Sequence, residues 1–146
     1  MKYSEMDKDQ KYEYYKSILV IYNTITKNSS AFSKEMLVDL ESVKRKLNFI
    51  GYGHEYDLLL EKTCPLFIKF AKEIEADDVE YLINYNYDEL IEEDAYDENK
   101  VLIANLIRAT KQAWTGLNPK NQQIIKKRIK LCLIHSQMYN LHNLYN

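Results

Sequence analysis

The side chains that could carry out chemistry are few in kind. The chain has 146 residues, with 2 Cys and 3 His among them: Cys64, Cys132, His54, His135 and His142. Cys132 and His135 lie three apart, which on a helix puts them on one face, and His142 follows two turns later. Zinc wants four ligands in paired spacings, and this half-site has no second pair. Cys64 and His54, ten residues apart, would face similarly on one helix as a nucleophile and its base. Cys64, however, precedes Pro65 in an apolar stretch, with no helix N-terminus to lower its pKa. Asn84, Asn86 and Asp88 match the first, third and fifth positions of a calcium loop. Glu89 stands where that loop needs glycine, and Ala95 where it needs its closing glutamate. With only 3 Gly, neither a Walker loop nor a GxGxxG turn can be built. These readings predict a non-enzymatic protein with no catalytic residue, metal or cofactor.

Charge offers the other chemistry. The net charge is −2, but the signs are segregated. Residues 73–98 hold 12 acidic and no basic side chains, and residues 99–146 hold 8 basic and no acidic ones. Lys120, Lys126, Lys127, Arg128 and Lys130 cluster in the basic block and could contact phosphates. This gives the alternative reading, a nucleic-acid-binding or regulatory protein. Against it stand the acidic chain as a whole and the lack of a legible helix-turn-helix, zinc-finger or RNA-binding motif. The simpler reading is a solvated lysine face whose charge is partly neutralised by the acidic block. The chain end, with Tyr139, Leu141, Leu144 and Tyr145, is apolar enough that it must dock on its own domain or on a partner. These four residues are the expected protein-binding site. Acidic and basic blocks on one chain would also favour contact between copies.

The elements that must position these groups are helices. Sheets need many turns, and 3 Gly with 2 Pro are too few to supply them. A first helix is expected from about Asp7 to Lys27, with Tyr12, Tyr15, Ile18, Leu19, Tyr22 and Ile25 on its buried face. A second should run from Ser33 to about Phe49 on Met36, Leu40, Val43, Leu47 and Ile50, stopped by Gly51-Tyr52-Gly53. Residues 54–75 read as helix interrupted at Pro65. Asp77, with Glu80 three residues on, reads as the cap of a short helix, and Asp88 to Ile91 as a further helical turn. A helix from Asn99 to Trp114 buries Leu102, Leu106, Ala109 and Ala113. Asn118-Pro119 opens the last helix, with cap and first-turn proline in order. Its stripe is Ile125, Ile129, Cys132, Ser136 and Tyr139, widened by Leu131, Ile134, Met138 and Leu141. The whole reads as one all-α domain over residues 1–146, an irregular orthogonal bundle of five to seven helices.

Two stretches resemble a known group. One is Trp114-Thr-Gly-Leu117-Asn-Pro-Lys-Asn121-Gln-Gln-Ile124-Ile125, followed by a helix with Leu131 and Leu133. The other is Cys64-Pro65-Leu-Phe67-Ile-Lys-Phe70-Ala-Lys-Glu-Ile74, then Asp77-Asp78. Both resemble segments of short helical proteins encoded by large nucleocytoplasmic DNA viruses of protists. The last helix departs from that pattern in lacking a further aromatic between Ile125 and Ile129. The composition fits such a source: 17 Lys against 3 Arg, with 13 Tyr, 14 Ile and 12 Asn, is rich in AT-coded residues. The resemblance implies a virus-encoded protein, a minor component of the particle.

The expectation is therefore a structural or interaction protein that works through contacts with other proteins, in a large assembly or a homo-oligomer. Two unpaired cysteines point to a reducing, intracellular compartment. Residues 1–5 carry no apolar run of the signal-peptide kind, and no stretch reaches the ~20 apolar residues of a membrane span.

Overall fold

A computed structural model describes residues 5–86 and 97–145. The expected helical turn at Asp88 to Ile91 and the calcium-loop positions Asp88, Glu89 and Ala95 lie outside them. Among the described residues there are seven α-helices and no strand: α1 Lys8–Asn28, α2 Lys34–Gly53, α3 Tyr56–Lys69, α4 Ala71–Glu75, α5 Val79–Asn84, α6 Glu98–Ala113 and α7 Pro119–Tyr145. A 3-10 turn, Trp114–Gly116, joins α6 to α7. No helix among the described residues is long and apolar enough to cross a membrane.

The starts of these helices are written in the sequence. Asp7 and Gln10 form a reciprocal capping box on α1, with Gln10 N donating to Asp7 Oδ1 at 2.8 Å and Asp7 N to Gln10 Oε1 at 3.0 Å. Ser33 accepts from Met36 N at 3.1 Å, and Asn118 from Asn121 N at 2.8 Å. Asp97 takes the N–H groups of Asn99 and Lys100. Each cap satisfies backbone donors that the helix itself leaves unpaired.

The core is built on α7, about 40 Å long at 1.5 Å per residue. α1 and α3 pack along it and against each other, α6 lies against both, and α2 covers α6. α4 and α5 close one end beside α7 and α6. A polar thread runs through the packing: Tyr14 of α1 is fully buried, and its hydroxyl lies 2.6 Å from Thr63 Oγ1 of α3. Thr63 in turn donates to Leu59 O. Arg108 of α6 donates to Asp39 of α2 at 3.1 Å, and Lys11 of α1 reaches Asp57 of α3 at 2.7 Å.

Several expectations are corrected by this packing. The buried face of α1 is Tyr14, Tyr15, Ser17, Ile18, Ile21, Thr24 and Ile25. It is rotated about a quarter turn from the predicted one, and Tyr12 is left exposed. Two partners, α3 and α7, cover α1, so its buried side is wider and takes in Ser17 and Thr24. α3 runs through Pro65 without a break and ends at Phe70 instead. Pro65 is exposed, as is Glu61, whose carbonyl loses its donor there, so water can serve it. Asp78, not Asp77, caps α5, accepting from Tyr81 N at 3.1 Å, while Asp77 takes the left-handed conformation at φ 54°. Ile134, expected in the stripe of α7, is exposed. α6 stops at Ala113, and Trp114 begins the 3-10 turn.

The glycine pair has a different role from the one its spacing suggests. α2 continues through Gly51 and Gly53, and His54 supplies the left-handed residue at φ 54° and ψ 37°. Gly51 is needed for space. A Cβ there would collide with the Tyr15 hydroxyl, which is fixed by its 2.9 Å bond to Leu47 O. At Gly53 a Cβ meets nothing closer than Glu55 Cγ at 3.4 Å. Helix propensity alone favours alanine at both positions by roughly 0.5–1 kcal/mol. Urea unfolding should therefore separate them. Gly51→Ala is expected to lose about 1–3 kcal/mol through overpacking, while Gly53→Ala is neutral or stabilising.

Candidate interaction surface

The groups singled out for chemistry are dispersed by the fold. His54 is exposed at the end of α2, with its Nδ1 3.2 Å from the Tyr56 hydroxyl. Cys64 is buried, and desolvation together with the nearby Glu61 pushes its thiol up to about 11. That is the reverse of an activated nucleophile. Cys132 is completely buried, and burial pushes its thiol higher still. Burial also holds the half-buried His135 below the usual imidazole range. No group of three or more potential metal-ligating side chains occurs among the described residues. Both thiols should be inert to a disulfide-exchange reagent in the native protein at pH 8 and react at once in denaturant. Fast labelling of either in the folded state would contradict their burial.

The five basic residues do not form one face. Lys126, Lys127 and Arg128 fan out at about 100° per residue. Arg128 reaches Glu13 of α1 at 3.8 Å, and Lys130 pairs with Asp77 at 3.0 Å, which ties the basic block to the acidic one. Lys126 is half-buried and lines an apolar pocket, leaving Lys120 and Lys127 exposed together. At the chain end, Tyr139 packs against the core, and burial beside Glu61 and Cys64 holds its hydroxyl above the usual range. Leu141 is half-buried. The side chains of Leu144 and Tyr145 lie outside the described ones.

The apolar surface that the sequence reading passed over is on α2. Among the described residues eight large apolar side chains are exposed, and four of them are on this helix: Leu37, Val38, Phe49 and Tyr52. Val38 is 69% exposed, Phe49 59% and Tyr52 92%. Met36, Leu40, Val43, Leu47 and Ile50 take the opposite side into the core, as expected. Successive residues turn by about 100°, so Lys34, Val38, Glu41, Arg45, Phe49 and Tyr52 fall within about 80° of one another. These six form one outward stripe. Arg45 and Phe49 also border a groove against α6, where Lys46 reaches Glu98 at 2.8 Å and lies 5.3 Å over the Phe49 ring. Lys46 holds the Glu98 carboxyl below its ordinary range. The signal was available in the spacing of Val38, Arg45, Phe49 and Tyr52, a second helical stripe opposite the first.

The order of the stripe is self-complementary. When two copies of α2 are laid antiparallel about a two-fold axis near residue 43, Val38 meets Phe49, Glu41 meets Arg45, and Lys34 meets the Tyr52 ring. Each contact then occurs twice, as an isologous interface requires. Apolar meets apolar, acid meets base, and a cation meets an aromatic face. No family model, curated protein or solved structure matches the chain.

Proposed function

We propose that the protein is a non-enzymatic structural component that assembles through protein–protein contact, its own α2 stripe pairing antiparallel with that of a second copy. The observation that carries this reading is the exposed, self-complementary series Lys34, Val38, Glu41, Arg45, Phe49 and Tyr52. A single helix of 20 residues buries an interface at the low end of the size range, so the pairing is expected at roughly micromolar strength. Contacts of that strength suit a part that is added to a larger array and reinforced there by multiplicity. A minor component of a virus particle is the setting implied by the resemblance of residues 64–78 and 114–125.

Light scattering over a concentration series tests the pairing through its charges. Glu41→Arg and Arg45→Glu should each weaken the dimer, because each sets like charges against one another. The double exchange should restore it. Wild-type chain that stays monomeric at millimolar concentration, or a double exchange as weak as the singles, contradicts the pairing. The nucleic-acid reading gains no such arrangement, since Arg128 and Lys130 are held by Glu13 and Asp77.

A further inference from the structure

Away from α2, side chains from all the other helices and from Trp114 line a half-open apolar cavity of about 110 Å³. Ile18, Phe67, Ile103 and Leu106 are among its buried lining. Its charged and hydroxyl groups are Asp77, Thr110, Lys111 and Lys126. Two of these are already engaged: Asp77 is held by Lys130, and the Thr110 hydroxyl donates to Leu106 O at 2.8 Å. Among the described residues, Lys111 and Lys126 have neither an ion-pair nor a hydrogen-bond partner. Exposed Lys111 marks the side on which the cavity meets solvent. The site therefore joins an apolar interior to two free cations. An apolar void of this size weakens a fold, and an apolar guest restores the missing contacts. An apolar cavity of ~150 Å³ holds a benzene ring, so this one takes about the terminal four or five carbons of an alkyl chain and leaves the rest in its open mouth.

We propose that the cavity binds a medium-chain carboxylate, its alkyl end among Ile18, Phe67, Ile103 and Leu106 and its carboxylate at Lys111 and Lys126. The single Trp of the chain, Trp114, lies in the lining and reports occupancy by its emission. The test titrates the full chain with octanoate, and in parallel with octanol, following tryptophan fluorescence and calorimetric heat. Octanoate is expected to bind saturably and more tightly than octanol. Lys111→Gln and Lys126→Gln should each weaken octanoate roughly 2- to 5-fold, the scale of a solvent-exposed charge pair, and leave octanol unchanged. Ile107→Phe, which fills the cavity from α6, should weaken both ligands more than 10-fold. The absence of saturable octanoate binding overturns the proposal. So do lysine variants that bind octanoate like the wild type, and a folded Ile107→Phe variant that binds it undiminished. If Ile107→Phe does not fold, the two lysine variants decide alone.

Discussion

Tyr14→Ala is expected to be among the most damaging single substitutions in the chain, costing about 3–5 kcal/mol, the range for removing a buried aromatic ring. Tyr14 is 0% exposed, its ring meets Phe67 edge-on at 5.9 Å, and its hydroxyl lies 2.6 Å from Thr63 Oγ1. It sits between Thr63 of α3 and Cys132 and Ser136 of α7, so the void would open between three helices. For a chain of this size the midpoint of thermal unfolding should drop by roughly 6–20 °C. Tyr14→Phe separates the ring from the hydroxyl. Thr63 keeps its bond to Leu59 O, so the phenylalanine variant should lose only about 0.5–1.5 kcal/mol. Paired thermal and urea unfolding checks both values. Equal losses for the two variants would mean that the hydroxyl, not the packed ring, holds the junction.

The second large effect falls on assembly and spares the fold. Val38→Glu with Phe49→Glu places two carboxylates in the centre of the outward α2 stripe. Both positions are exposed in the single chain, so stability should change by less than about 0.5 kcal/mol per site. In the antiparallel pair each new carboxylate would face the other across the two-fold, in an interface meant to be apolar. Self-association is expected to weaken at least 100-fold, the scale of losing central apolar anchors and burying like charge. Sedimentation velocity together with circular dichroism reads both properties. An unfolded variant would show that Val38 or Phe49 belongs to the core, and a folded variant that still pairs would place the interface elsewhere.

How far the sequence could be read depended on how many neighbours each helix acquired. α2 is covered from one side, so its buried stripe from Met36 to Ile50 follows the helical period and was legible residue by residue. The helix starts near Asp7 and Ser33 and the cap at Asn118 were legible for the same local reason: each capping bond joins a side chain to an amide three residues away. α1 and α7 lie in the middle, where more than one face is covered. The inner surface of α1 includes Ser17 and Thr24, polar residues that a search for apolar periodicity skips, whereas Ser136 of α7 was placed in its stripe by spacing. Long-range demands were hidden altogether. Nothing near Gly51 in the chain announces that Tyr15, thirty-six residues earlier, needs its space. Pro65 illustrates the converse, a local breaker overridden by packing of α3 on α1 and α7. The candidate site was missed because apolar residues were assigned inward by default. Val38, Phe49 and Tyr52 belong to a second stripe that is exposed among the described residues, the one we propose to pair with a second copy.

The most direct test of the α2 pairing is a disulfide trap at two exposed positions of that helix. Ser42→Cys puts a thiol beside the two-fold axis, where it faces its own counterpart in the second copy. Glu35→Cys puts one near the helix start, and the two copies of that position lie at opposite ends of an antiparallel pair. The native thiols of Cys64 and Cys132 are buried and take no part. Under mild oxidation the antiparallel arrangement predicts rapid covalent dimer from Ser42→Cys and almost none from Glu35→Cys. Equal trapping at both positions would indicate a parallel or indiscriminate encounter, and no trapping at Ser42→Cys would contradict the α2 interface outright.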